Sequence, residues 1–200
     1  MRPTRILIIG LVVLIGVLAA GCGGAAVAAG GSFAGPVEGS AAFFALVSSG
    51  EEVMAYYCDG QPGAPVTLSG WFRGPVSGEE VELTNDNGDT LVGLLSADGF
   101  NGTLTPAGSA PLAVAAEPVS QPAGLYRTDT TIDGETAVGG WIVLSDGRQR
   151  GSVKVGNANT SSALDTNTST ASTGDGKTHT PRWTDPDTEP ARWNDPDPDP

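Results

Sequence analysis

The residues with the most metal-binding groups close together form one oxygen-rich run, Asn85-Asp86-Asn87-Gly88-Asp89. Carboxylate and amide oxygens are the ligands that calcium prefers, and a calcium loop of the EF type continues to a distal bidentate Glu. Here Thr90 follows directly, and apolar residues at 81–83 and 91–95 flank the run as strands. Asn-Gly is favoured at hairpin turns. The pattern therefore predicts a hairpin turn, and no metal site is predicted.

Groups for nucleophilic or acid–base catalysis are sparse. A nucleophilic Cys or Ser needs a neighbouring base, but the only histidine, His179, lies in a polar C-terminal segment, and no Gly-x-Ser-x-Gly elbow is present. Cys58 is therefore interpreted as a small buried residue. Glu79-Glu80 has the composition of a glycosidase carboxylate pair, yet it follows Gly78 in an expected surface turn. No catalytic residue and no cofactor are predicted.

Tryptophan offers a route to binding without catalysis. Trp71 lies on the strand face of Ser69 and Arg73, which is expected to be wet. A core position is the default for Trp71 and Trp141 in a small β domain. An exposed aromatic side chain on a sheet can instead contact a sugar or a protein partner, so Trp71 is a candidate partner-binding residue.

The C-terminal residues contain a repeat in which 181–190 and 191–200 are identical at six of ten positions. Each copy carries an Arg-Trp pair, and its prolines favour an extended conformation. One interpretation is an acidic spacer with no partner. The alternative is a pair of weak anchors whose binding gains from avidity. Under that alternative the candidate partner-binding residues are Arg182, Trp183, Arg192 and Trp193.

The elements that must position these residues are strands. Turn-forming pairs such as Asp59-Gly60, Asn87-Gly88 and Asp146-Gly147 recur every eight to twelve residues between short β-rich runs. No window has a convincing helical period. The fold predicted is all-β: a single small antiparallel sandwich or barrel of about eight to ten short strands. The predicted strands are about 41–48, 53–58, 66–73, 80–85, 90–96, 100–105, 111–117, 124–132, 138–145 and 149–155.

The sequence has a weak internal similarity, here called the echo, at a spacing of 70 residues. Tyr56, Asp59, Gly70 and Trp71 recur as Tyr126, Asp129, Gly140 and Trp141. Two similar sub-sheets would produce such an echo, but the intervening residues do not match, and chance is the favoured explanation.

Composition divides the rest of the chain. Residues 22–39 are Gly/Ala-rich and are predicted to be a flexible tether to a β domain at 40–157. Residues 158–200, rich in Thr, Ser and Asn and then in Asp and Pro, are predicted to be a disordered tail. The formal net charge is −13, which disfavours binding to nucleic acid or to an anionic bilayer surface.

The first 21 residues have the layout of a signal peptide. Arg2 and Arg5 precede an uncharged apolar run at 6–20, which ends in small residues before Cys22. An uncleaved membrane anchor or ordinary secretion are the alternatives, but the glycines of this run make a poor helix. The segment resembles the lipobox of bacterial lipoproteins, although Ala19 stands where Leu is commonest. The resemblance implies lipidation of Cys22, with fatty acyl chains such as palmitate, and anchoring at the extracytoplasmic face of the cell membrane.

A second resemblance covers about residues 50–152. The segments at 55–60, 70–72, 124–127 and 139–147 are similar to those of uncharacterised exported proteins of actinobacteria. That resemblance implies an exported β domain and no particular activity.

Three functions remain open on the sequence. The favoured hypothesis is a cell-envelope lipoprotein with a non-enzymatic binding domain, whose partner is an envelope protein or a glycan. The alternative is a carrier of a small molecule or lipid, which requires an apolar cavity between the sheets. A hydrolase is the weakest hypothesis, because the predicted domain at 40–157 contains no histidine.

Overall fold

The computed structural model describes residues 28–132, 134–173 and 176–186, and within these ranges the chain forms fifteen antiparallel strands and no helix. The all-β prediction is therefore confirmed, and the ten predicted strands correspond to β2 to β11. The first sheet contains β1 (Gly30–Pro36), β2 (Phe43–Ser49), β3 (Glu52–Cys58), β4 (Ser69–Pro75), β5 (Glu80–Thr84), β6 (Thr90–Ser96), β7 (Gly99–Thr105) and β8 (Leu112–Val119). The second contains β9 (Gly124–Ile132), β10 (Glu135–Val143), β11 (Gln149–Val155), β12 (Ala158–Asp165), β13 (Thr170–Thr173), β14 (Thr178–His179) and β15 (Arg182–Trp183).

The first sheet curls into a nearly closed barrel. Its strand order is β4-β3-β2-β1-β8-β7-β6-β5, and the two end strands contact each other. Alternating residues point inward, as in β5, where Val81 and Leu83 are buried between exposed neighbours. The rings of Phe44 and Phe100 stack at 5.4 Å between centroids. Large buried side chains therefore fill this barrel, among them Phe44, Leu46, Phe72, Leu91, Leu95, Phe100 and Leu104.

The second sheet also turns back on itself. Its order is β14-β13-β12-β11-β10-β9-β15, so the two shortest strands lie at opposite ends of the order. Only Thr180 and Pro181 separate these two strands in the chain, and the Thr180 carbonyl accepts a 3.5 Å hydrogen bond from Thr128 in β9. The curled sheet encloses its own apolar cluster around the fully buried Trp141.

The two sheets meet through strands that are buried on both faces. In β2, six successive residues are buried, as are six in β3. One set of alternating side chains enters the barrel, and the other packs against Leu125 and Ile142 of β9 and β10. The near-continuous apolar runs of these strands follow from this double burial.

The predicted tether is wrong from residue 30 onward. β1 pairs with β2 along its whole length and with β8 at three positions, so it is an internal strand. Its small residues fit close packing, since a Cβ on Gly35 would collide with the backbone of Ala115. The composition suggested flexibility because Gly and Ala have little side-chain area to bury. The strand is instead held by backbone pairing on both sides. Residues 22–27 lie outside the described residues.

The predicted tail is also wrong over its first part, because β12 to β15 extend the fold to residue 183. Backbone pairing with β11 and burial of Leu164 and Ala171 hold this polar segment. Ser161, Ser162 and Thr173 are buried as well, so hydroxyl-bearing residues occupy interior positions that aliphatic residues usually fill. The domain therefore also contains a buried histidine, His179, in β14. The predicted disorder at 187–200 concerns residues outside the described ranges.

We expect truncation to separate the predicted boundary from the observed one. A chain ending at Asn157 lacks four strands and exposes Trp141, so its tryptophan fluorescence should shift to the red and its cooperative thermal unfolding should be lost. A chain ending at Pro186 keeps every described strand and serves as the control, which should unfold like the full chain. Equal melting of all three chains would contradict the assignment of β12 to β15 to the fold.

We expect Gly151→Ala to destabilise the fold by about 1–3 kcal/mol, because the added methyl group overpacks a filled core. Gly151 lies opposite Trp141, and its Cβ would overlap the indole ring. Gly30→Ala is the control, since a Cβ there would have no neighbour closer than 3.5 Å. The check is chemical denaturation of both variants, and equal effects would rule out this steric explanation.

Candidate functional site

A cleft of about 390 Å³ lies where the outer side of β3 and β4 meets the face of β10 to β12. This volume falls in the range of small-ligand sites, which is about 300–1,000 Å³. The lining combines three aromatic residues with amide, hydroxyl and cationic side chains. These properties make the cleft the candidate site.

Strand register places the side chains on the two walls. On the first wall, Tyr56 lies opposite Trp71, and Met54 lies opposite Arg73. On the second wall, Lys154 is the central member of a row that it forms with Val138 and Asn159. Alternation along β11 puts Ser152 on the same face as Lys154. Each wall therefore presents two adjacent rows of side chains to the cleft.

Trp71 is the half-buried centre of the first wall. Its ring stacks on Tyr56 at 4.3 Å between centroids, and the guanidinium carbon of Arg127 lies 4.5 Å from the ring centroid. Gly140 makes room for this arrangement, because a Cβ there would lie 2.7 Å from Trp71. These contacts fix the indole ring while part of it remains open to solvent. The candidate Trp71 is thus on the cleft wall.

Cations outnumber acids in the cleft. Among the residues that the structure describes, Arg73, Arg127 and Lys154 line it, and Asp86 is the only acidic residue that does. The side chain of Arg127 is 3% exposed and forms a 2.8 Å ion pair with Asp129. In a chain of net charge −13, this is a locally cationic surface.

Buried next to the cleft are two neutral titratable groups, the Tyr56 hydroxyl and the Cys58 thiol. The hydroxyls of Tyr56 and Ser152 are 2.9 Å apart and join the two walls. Burial raises the pKa of the Tyr56 hydroxyl and that of the Cys58 thiol. Cys58 is a free, buried thiol whose sulfur accepts a hydrogen bond from the Gly60 amide, so the prediction of a buried cysteine is confirmed. A thiol with a raised pKa is a poor nucleophile.

The run at 85–89 forms the predicted hairpin turn between β5 and β6. The Gly88 amide donates to the Asn85 carbonyl at 2.9 Å, and Gly88 has a φ of 81°. The buried Asp89 carboxylate accepts hydrogen bonds from the Tyr57 hydroxyl, the Asn85 amide and the Ala107 backbone N–H, each at 2.8 Å. Asp89 is thus engaged in holding the turn. In the described ranges, no group of three or more His, Cys, Asp or Glu residues is placed to hold a metal ion.

The first Arg-Trp pair of the C-terminal repeat packs on its own domain. Trp183 pairs with Tyr126 of β9, and its indole N–H donates to the Ala123 carbonyl at 3.1 Å. Arg182 lies 3.7 Å from Asp129, the carboxylate that also binds Arg127. Both residues of this copy are half-buried rather than presented on a free rod. The candidates Arg192, Trp193 and Cys22 lie outside the described residues.

The echo at a spacing of 70 falls on equivalent positions of two hairpins. Tyr56 lies opposite Trp71 between β3 and β4, and Tyr126 lies opposite Trp141 between β9 and β10. The surroundings of the two pairs differ, because Trp71 lines the cleft and Trp141 is fully buried. The sequence did not identify Lys154, Asn159 and Ser152 as site residues. The only pattern that could have pointed to them is the polar–apolar alternation of the strands.

No known protein family matches this chain, and no curated protein or solved structure matches it. Within the described ranges, no helix has the length and apolar character needed to cross a membrane.

We expect stability to fall as the pH rises above about 9. Burial raises the pKa values of Tyr56, Tyr57 and Cys58 in the folded chain, whereas the unfolded chain ionises at about pH 8.5 for Cys and 10 for Tyr. The stabilisation is complete below those values and is lost as the unfolded state releases protons that the folded state retains. Urea unfolding at increasing pH measures the fall, and tyrosinate absorbance should develop together with unfolding. Titration of all three tyrosines in a chain that remains folded would contradict it.

Proposed function

We propose that this protein is a non-enzymatic binding domain of the cell envelope that takes a saccharide ligand in the cleft around Trp71. One observation carries the proposal: a half-buried indole, held by Tyr56 and Arg127, lines a cleft whose other groups are mainly polar side chains. Small-ligand sites are usually lined mostly by apolar side chains with a few polar groups, so a lining as polar as this one favours a ligand rich in hydroxyl groups.

A saccharide fits this combination of groups. The C–H face of a sugar ring packs on apolar or aromatic surface, and its hydroxyls both donate and accept hydrogen bonds. The cleft supplies amides and hydroxyls that can do the same, from Asn87, Asn159 and Ser69. The partly open Trp71 supplies the apolar contact.

The composition of the cleft favours binding over hydrolysis. A glycosidase of the usual kind needs two carboxyl groups facing the scissile bond. Asp86 is the one carboxylate in the described part of the chain that lines the cleft, and His179 belongs to the second sheet, opposite Ala171 of β13.

The carrier alternative has less support. It requires an apolar cavity between the sheets, whereas Leu125, Ile142 and Tyr56 are buried there in mutual packing. The barrel interior is likewise occupied by Phe44, Phe72 and other large side chains.

The proposal includes export and acylation of Cys22, for which the support is the sequence of residues 1–22. β1 begins at Gly30, eight positions after Cys22, so the linking chain reaches at most about 28 Å. An acylated protein would therefore hold its domain close to the membrane surface. Labelling of cells with a palmitate analogue tests acylation, and equal labelling of the wild type and Cys22→Ser would overturn this part of the proposal.

We expect Trp71→Ala to weaken saccharide binding by at least about tenfold, because the ring is the main apolar contact, worth on the order of 1.5–3 kcal/mol. The measurement is a glycan microarray followed by titration calorimetry of the best ligand. Trp183→Phe is the matched control, since it changes a half-buried tryptophan on the opposite side of β9 and should bind like the wild type. Absence of any glycan ligand, or equal binding by Trp71→Ala, would refute the proposed function.

A further inference from the structure

We infer that the saccharide bound by the cleft is acidic, and that Lys154 receives its carboxylate or phosphate group. This inference rests on the proposed function and adds the chemical class of the ligand. Its basis is the juxtaposition of Lys154 with the indole of Trp71 in one cleft.

The charge of the cleft is opposite in sign to that of the chain. Of the residues that the structure describes, Arg73, Arg127, Lys154 and one carboxylate, Asp86, line it, and Asp129 neutralises Arg127, in a protein with 10 basic and 23 acidic residues. An excess of cations in a cleft with protein walls raises the local concentration of an anionic ligand. A neutral ligand would gain nothing from this distribution.

Lys154 is available to an anion. It is half-buried, and no carboxylate in residues 28–132, 134–173 and 176–186 forms an ion pair with it. Its neighbours across the strands are Val138 and Asn159, neither of which is charged. A half-buried ammonium is less screened by salt than an exposed one, so its attraction for an anion is stronger.

Arg127 has a different role from Lys154. Its guanidinium is buried, pairs with Asp129 and packs on the Trp71 ring. It therefore acts as a positioning residue for Trp71, and the half-buried Lys154 is the cation assigned to the ligand.

Two hydrogen bonds between the walls set the distance between the indole and the cations. The Asn159 amide donates to the Ser69 hydroxyl at 2.8 Å, and the Tyr56 and Ser152 hydroxyls are 2.9 Å apart. Asn159 and Ser152 flank Lys154 on its face of the second sheet. The cleft is therefore a preorganised site, which reduces the entropic cost of binding.

An acidic peptide fits this site less well. Peptides commonly bind sheets by adding a strand to an exposed edge through backbone hydrogen bonds. At β4 the Trp71 carbonyl already accepts a hydrogen bond from the Asn85 side chain at 3.1 Å. That carbonyl is therefore not available to an added strand, whereas the polar side chains that line the cleft suit a sugar.

The test compares trigalacturonic acid with its fully methyl-esterified form, which keeps the ring geometry and removes the charge. Calorimetry with the full chain should give at least about tenfold tighter binding of the acid, since hydrogen bonds to charged groups are stronger than those between neutral groups. Glucose 6-phosphate against glucose provides the same comparison for phosphate. The preference should weaken as salt is raised.

Lys154→Met should remove most of this preference, because the acid loses its cationic partner, and an unchanged preference in a folded variant would overturn the inference. Lys177→Met is the matched control, because Lys177 is the only other lysine and does not line the cleft. Thermal unfolding checks that both variants fold. If Lys154→Met has lost its fold, Lys154→Gln takes its place.

The outcomes distinguish the two proposals. Equal binding of acid and ester, abolished by Trp71→Ala, would overturn the acidic ligand and leave the saccharide site intact. Failure of every charged and neutral sugar would overturn both. Binding of inorganic phosphate or of phosphatidylglycerol vesicles that depends on Lys154, with no gain from a sugar, would also overturn this inference, because the anion alone would then be the ligand.

Discussion

The structure depends on burying both faces of β2 and β3. One face of these strands closes the barrel around Phe44, and the other supports the second sheet at Ile142. A strand buried on both sides contributes apolar area to two clusters, so β2 and β3 join the barrel core to the cluster between the sheets. The cleft depends on this packing of the two sheets, because it forms where the outer side of β3 and β4 meets the face of β10 to β12.

Glycine determines where the large aromatic side chains can lie. Gly151 leaves space for Trp141 inside the second sheet, and Gly140 leaves space for Tyr56 and Trp71 between the sheets. A side chain at Gly140 would fill the position that the stacked rings occupy. Two Tyr–Trp pairs in equivalent hairpins thus have different environments, one in a core and one at a cleft. The proposed binding role belongs to the pair that the packing leaves partly open.

The charged side chains of the cleft have two roles: some stabilise its structure, and one can bind a ligand. The ion pair with Asp129 neutralises Arg127 and offsets part of the desolvation cost of burying its guanidinium, which packs on Trp71. Lys154 has no such partner among the described residues, and it stands in a row of uncharged neighbours. The proposed anion site follows from this difference between two cations in one cleft.

The sequence by itself determined the all-β class, the ten strands from β2 to β11, the turn at 85–89 and the burial of Cys58, because alternation and turn chemistry are local properties. Tertiary structure decided what composition could not. β1 and β12 to β15 have few apolar side chains, and they are strands because neighbours pair with their backbones. The cleft likewise joins residues about 80 positions apart, such as Trp71 and Lys154. Their proximity follows from how two sheets pack, which no local pattern encodes.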